Sequence, residues 1–199
     1  MRQLLMVPGP TNVPTRVLHA MSRPIINHRS QEFHTLYDHI RGNLRYAFQT
    51  EGDVFPLSAS GTGGVEAIVA NVVRRGDRVI VPVNGDFSER IKENIAYFGG
   101  IPVEVHIEWG KAASAIMIEK AIEMVKDAKV LFVIYNETST GATTKELAEI
   151  GRVARKRGLI FAVDAVSNFA GDPLPMDEWG VDLCVAGSQK CLACPPGLV

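Results

Sequence analysis

Cysteine is scarce and comes in an odd number, three in 199 residues. An odd count disfavours a disulfide framework and fits a reducing compartment. An excess of one charge is also missing: 21 basic and 22 acidic residues leave a formal net charge of −1. No charge block stands out, so the electrostatic footprint of a nucleic-acid or anionic-membrane binder is absent. No apolar run approaches the ~20 residues of a transmembrane helix. The opening stretch MRQLLMVPGPTNVP is broken by prolines and lacks the apolar region and cleavage pattern of a secretory signal. A cytoplasmic protein with no nucleic-acid or membrane partner is the expectation. Internal repeats and low-complexity linkers are lacking too.

What is present suits a globular domain. Hydrophobic residues make up 46% of the chain, and 199 residues are enough for a real core. Residues 1–14 carry three prolines and read as an extended arm. Phe33, Leu36, Ile40, Leu44 and Phe48 recur at helical spacing over 31–48. A rhythm then begins. DVFPLS reads as a strand and GGVEAIVANVV as a helix. DRVIVPV, IPVEVHI, KVLFVIY, LIFAVD and VDLCVA read as further strands. SERIKENIAYF, ASAIMIEKAIEMVK and TKELAEIGRVARKRG read as the helices between them. Strands alternating with amphipathic helices imply an α/β fold with a mostly parallel sheet flanked by helices. Runs as apolar as VLFVIY suit a sheet covered on both faces.

Open sheets of this kind bind ligands beyond the carboxyl ends of their strands. The segments that follow five of the predicted strands are SASGTGG, NGDF, NETSTG, DAVSN and GSQK. All are polar or glycine-bearing, and parallel strands would gather them on one edge. SASGTGG opens a helix, whose free N–H groups and dipole favour an anion, with Ser60 and Thr62 adding hydroxyls. Alone, it also reads as a turn that needs glycine for its backbone angles. Phe87 offers either a stacking face or a core side chain. Asp164 is either a buried carboxylate paired with a cation or a cap for the next turn. Thr138 and Ser139 either donate to a ligand or cap the helix near Lys145.

Lys190 carries the sharpest signal. A lysine just after a buried strand is partly desolvated, which favours the neutral, nucleophilic amine. A Schiff base with an aldehyde is its obvious use; the bland alternative is a lysine reaching out to solvent. An amine, an acid, an aromatic face and an anion site on one edge form the set that pyridoxal phosphate requires.

PGPTNVP, SASGTGGVEA, NGDFSER, NETSTG, VDAVSNFAG and AGSQKCLACPPG together resemble the class V, fold type I pyridoxal-phosphate aminotransferases. The similarity is greatest to the alanine–glyoxylate and serine–pyruvate branch, and it covers nearly the whole chain. The resemblance implies that Lys190 holds the cofactor aldehyde and then moves the substrate proton. It implies that Asp164 pairs with the pyridine nitrogen and that Phe87 stacks on the ring, where relatives often carry Trp. Ser60, Gly61, Thr62 and Gln189 would bind the phosphate. Thr138 would reach the phenolic oxygen, Val166 would pack on the other ring face, and Gly9 would lie near the substrate carboxylate. The resemblance also implies a homodimer acting on small amino acids and 2-oxo acids. It divides the chain into an arm, 1–20, and a cofactor-binding large domain, 21–199. The family's C-terminal small domain, with its carboxylate-binding arginine, would then be missing from this chain.

Other readings stay open at this level. A cysteine desulfurase usually places histidine where this chain has Gln189 and Phe87. A phosphonate aminotransferase tends to place Asn before the lysine. Cys191 and Cys194 have CxxC spacing, but one pair is half a zinc site, and Pro195-Pro196 follows where a redox motif would open a helix. A non-catalytic remnant of the fold is the last alternative. His28 and Arg29 read as a surface pair before a helix, or as contacts to substrate or a second subunit.

Overall fold

The computed structural model describes residues 3–199. The first elements are α1 (Thr15–Met21), α2 (Gln31–Phe48), α3 (Gly61–Val72), β1 (Arg78–Val83), α4 (Asp86–Tyr97) and β2 (Ile101–His106). They are followed by α5 (Ala115–Met124), β3 (Ala128–Ile134), a small hairpin of β4 (Asn136–Glu137) and β5 (Ala142–Thr143), and α6 (Leu147–Lys156). The last are β6 (Ile160–Asp164), α7 (Met176–Trp179) and β7 (Leu183–Val185). Three of these helices start where a serine can satisfy a free N–H. Ser30, Ser60 and Ser114 accept from the amides of Phe33, Gly63 and Met117 respectively.

Five strands form one parallel sheet in the order β2-β1-β3-β6-β7. The apolar alternation along β3 explains its two-sided burial. Leu131 and Val133 face a core built with Ile118 and Ile122 of α5 and Leu147 and Ile150 of α6. Val130, Phe132 and Ile134 face the opposite core, with Val69 of α3 and Ile91 and Ile95 of α4. Period-two side chains thus serve two layers of helices at once. Pro82 has no N–H to give to a ladder. The β1–β3 pairing runs only from Arg78 to Ile80, while β2 follows β1 to Val83.

One expectation needs correction. The segment 53–58 is not a strand. Pro56 cannot donate there, and Leu57 instead exchanges two backbone hydrogen bonds with Val199, at 2.7 and 3.0 Å. Residues 3–14 form no helix or strand, and α1 begins only at Thr15, without burying a residue. The apolar stripe of α2 does exist, but only its C-terminal turns reach the core: Leu44 and Ala47 pack against it, and buried Phe48 stacks on Phe169 at 3.9 Å. Leu36 and Ile40 remain exposed.

Some glycines matter for contact rather than for backbone angles. A methyl group on Gly151 of α6 would fall on the carbonyl oxygen of Trp179 in α7. Gly42 of α2 has open space around it. Alanine at an unhindered helix position stabilises by roughly 0.5–1 kcal/mol, and overpacking costs about 1–3 kcal/mol. Urea unfolding should therefore show Gly42→Ala stabilised and Gly151→Ala destabilised. The same sign for both would contradict this packing.

Candidate active site

The strand order reverses between β1 and β3, and a cleft opens there at the carboxyl edge of the sheet. Its volume is about 180 Å³. Asp164 is the last residue of β6, and Gln189 and Lys190 follow β7 by a short loop. Thr138 lies in the β4–β5 turn, and Phe87 in the first turn of α4. Ser60 is the N-cap of α3, followed by Gly61 and Thr62. All of these residues line the cleft, and so does Val166. Gly9 does not line it but lies against Lys190. A methyl group on Gly9 would stand 2.6 Å from the Lys190 Cδ and 2.8 Å from its Nζ.

The N-terminal segment holds the lysine loop in place. Thr11 N–H donates to the Gln189 carbonyl at 3.0 Å, and Thr11 Oγ1 donates to the Lys190 carbonyl at 3.0 Å. Lys190 Nζ donates to the Pro8 carbonyl at 3.5 Å. The lysine is therefore half-buried, with its loop backbone clamped from one side.

Glycine at the start of α3 has a different reason from the one its spacing suggests. Gly61 and Gly64 do not adopt positive φ. A methyl group on Gly61 would lie 2.8 Å from a Val166 methyl, and one on Gly64 would collide with Val185 and Val199. Small size lets the N-terminus of α3 approach the sheet edge. Ser60 Oγ accepts from Gly63 N–H at 3.2 Å, which leaves its own proton free to donate. Thr62 is exposed beside it.

Asp164 sits at the floor of the cleft, at 9% exposure. Burial raises its pKa from 3.8 to about 6. The amide of Val166, which donates to Oδ1 at 2.8 Å, pulls the other way. The negative charge of Glu137 pushes it further up, and Lys190 lowers it slightly. Oδ2 accepts no hydrogen bond from the described residues.

Sequence reasoning missed several neighbours. Asn136 and Ser167 line the cleft and bond each other, Asn136 Nδ2 donating to Ser167 Oγ at 2.9 Å. Arg90 lies over the Phe87 ring, 4.9 Å from its centroid. It falls one helical turn after Phe87 in NGDFSER, a spacing that was legible. Glu137 is fully buried behind the cleft. Ser139 does not cap α6; it bonds Glu137 and the Asp86 amide instead. His28 and Arg29 are exposed. Cys191 and Cys194 are free thiols, and no group of three His, Cys, Asp or Glu suited to a metal occurs among the described residues. No helix among those residues is long and apolar enough to cross a membrane.

The model of the aminotransferase class-V family matches residues 4–199. The chain belongs to this family. It is 39% identical over 197 residues to an uncharacterized aminotransferase of Methanocaldococcus jannaschii, covering 99% of this chain and 51% of that protein. It is 39% identical over 206 residues to the serine–glyoxylate aminotransferase of Methylorubrum extorquens, covering 99% and 50%. The crystal structure of an alanine–glyoxylate aminotransferase from Nostoc superimposes with a TM-score of 0.95 at 36% identity, covering 100% of this chain and 52% of that one. The fold is the fold type I large-domain architecture of these enzymes. The chain spans about half the length of the curated relatives it matches.

The raised pKa of Asp164 has a consequence for stability. The folded state holds the proton more tightly than the unfolded state, so this group favours folding less as pH rises from about 4 to 6. Above that range the penalty is full, roughly 3 kcal/mol for a shift of this size. Asp164→Asn keeps an oxygen for the Val166 amide and removes the charge. In ligand-free protein at pH 8 it should be more stable than wild type by about 2–3 kcal/mol in urea, a gap that narrows between pH 6 and 4. A variant less stable at pH 8, or a gap independent of pH, would contradict the burial argument.

Proposed function

We propose that the protein is a pyridoxal-phosphate-dependent aminotransferase that moves an amino group from alanine or serine to a 2-oxo acid such as glyoxylate or pyruvate. The observation that carries this reading is the Asp164 carboxyl group. It is buried, its pKa is raised to about 6, and its Oδ2 lacks a partner at the floor of a cleft that also holds Lys190. A protonated ring nitrogen is the donor that this oxygen lacks. The other cleft residues fit the rest of the cofactor. The N-terminus of α3 offers N–H groups and the hydroxyls of Ser60 and Thr62 to a phosphate, with Gln189 nearby. Phe87 and Val166 offer faces for the ring, and Thr138 offers a hydroxyl to its phenolic oxygen.

When bound, pyridoxal phosphate supplies an aldehyde that captures amines and a ring that withdraws electrons. The chain supplies the rest. Lys190 Nζ would hold the cofactor through its aldehyde and, once freed, would take the proton from the substrate Cα and return one on the way to the new amino acid. Asp164 would accept a hydrogen bond from the ring N–H and help to keep that nitrogen protonated. Its carboxylate form gains from that cation what burial takes away. Phe87 and Val166, which line the cleft, would cover the two faces of the ring and exclude water from them. Gly9 leaves Lys190 room to swing and lies near the substrate carboxylate. The donor gives its amino group before the acceptor binds, which is ping-pong kinetics.

The transaminase names of the relatives support this reading over a desulfurase or a phosphonate aminotransferase. It takes residues 1–20 as an arm and 21–199 as the cofactor-binding large domain. It includes a homodimer, supported by the uncovered apolar stripe of α2, and a cytoplasmic location, supported by the free thiols. In the full-length protein, Lys190→Ala should lower the transamination rate by at least about a thousandfold. The assay follows conversion of glyoxylate with alanine or serine as donor. Turnover within tenfold of wild type would remove Lys190 from the mechanism.

A further inference from the structure

Glu137 has no place in the mechanism above, yet its side chain is fully buried and meets no cation among the described residues. Donors compensate it instead. Its Oε1 accepts from the Phe87 amide at 3.3 Å, the Ser139 amide at 3.2 Å and Ser139 Oγ at 2.7 Å. Its Oε2 accepts from the Ser88 amide at 2.9 Å. Ser139 Oγ also accepts from the Asp86 amide at 2.9 Å. The first three amides of α4 are thus held by two side chains from a different part of the chain.

The local sequence explains why. The residue before α4 is Gly85, which has no side chain with which to cap the helix. Glu137 does the capping from outside, its two oxygens accepting at the positive end of the helix dipole. Gly85 is what admits it. A methyl group there would lie 2.5 Å from Glu137 Cγ and 2.5 Å from Ser139 Oγ.

The two elements joined in this way both face the cleft. Phe87 is on the capped turn, and Thr138 is the residue after Glu137. We propose that Glu137 is a positioning residue for the cofactor: its buried carboxylate locks the α4 turn that carries Phe87 to the loop that carries Thr138, which sets the ring's seat before anything binds. This inference rests on the pyridoxal-phosphate reading of the cleft. Glu137 acts through Phe87 and Thr138 and touches no reacting atom. An amide in its place keeps the volume but turns an NH2 donor toward N–H donors, so one side of the lock opens.

The test is Glu137→Gln in the full-length protein, with three readouts: far-UV circular dichroism, pyridoxal phosphate affinity by absorbance titration, and visible circular dichroism of the saturated protein. The expected result is wild-type secondary structure, a Kd for pyridoxal phosphate raised about tenfold or more, and a weaker visible band per bound cofactor. A lowered Tm with unchanged Kd and unchanged visible band would mean a purely structural role and would overturn the proposal. If Glu137→Gln does not fold, Ser139→Ala decides, because it removes only the exposed partner of the clamp. A Kd raised about threefold supports the proposal, and an unchanged Kd and visible band overturn it. Failure of the wild type to bind pyridoxal phosphate would bring down the cofactor reading itself, a result distinct from any difference between variants.

Discussion

A carboxyl group buried at the end of an apolar strand, with one oxygen lacking a partner, is the constraint on which the rest of this structure turns. β6 must be apolar because helices cover both faces of the sheet, and Asp164 inherits that dry environment at its tip. The usual remedy is a neighbouring cation. Lys190 only weakly offsets the burial, and Glu137 opposes it. The charged form of Asp164 is therefore disfavoured, a cost that a positively polarised donor in the cleft would offset. On the proposed reading, the same features suit the cleft to a protonated ring nitrogen.

Around that point the chain arranges close approaches. Gly61 lets the start of α3 come down on Val166, Gly9 lets the N-terminal segment lie on Lys190, and Gly85 lets Glu137 reach the start of α4. In each case a single added methyl group would displace a cleft residue or its support. Thr11 then fixes the lysine loop by two backbone carbonyls. Preorganisation of this kind lets a ligand bind without the protein first having to order the groups that receive it.

Much of this was legible in the sequence. The rhythm of apolar strands and amphipathic helices showed the parallel sheet, because period-two and period-3.6 patterns follow directly from burial. Lys190, Asp164 and Phe87 stood out because each is a chemically distinctive residue just past a strand. DVFPLS was misread because its apolar alternation looks like a strand, whereas pairing depends on a partner that no local pattern reveals. The glycines of SASGTGG were seen as turn residues, although Gly61 and Gly64 serve to permit contacts with residues about 100 or more positions away in the chain. Glu137 was invisible for a related reason. Its partners lie 49 and 50 residues earlier, and a glutamate in a polar loop gives no sign of burial. Long-range contacts, not local propensity, separate what could be read from what could not.

The central claim is that Lys190 and Asp164 share a cleft in order to hold pyridoxal phosphate. The most direct measurement is borohydride reduction of the full-length protein after incubation with pyridoxal phosphate, followed by peptide mass mapping. The account predicts a pyridoxyl group on the peptide that contains Lys190 and on no other lysine at stoichiometric level. A folded protein with no such adduct, or with the adduct spread over surface lysines, would contradict it.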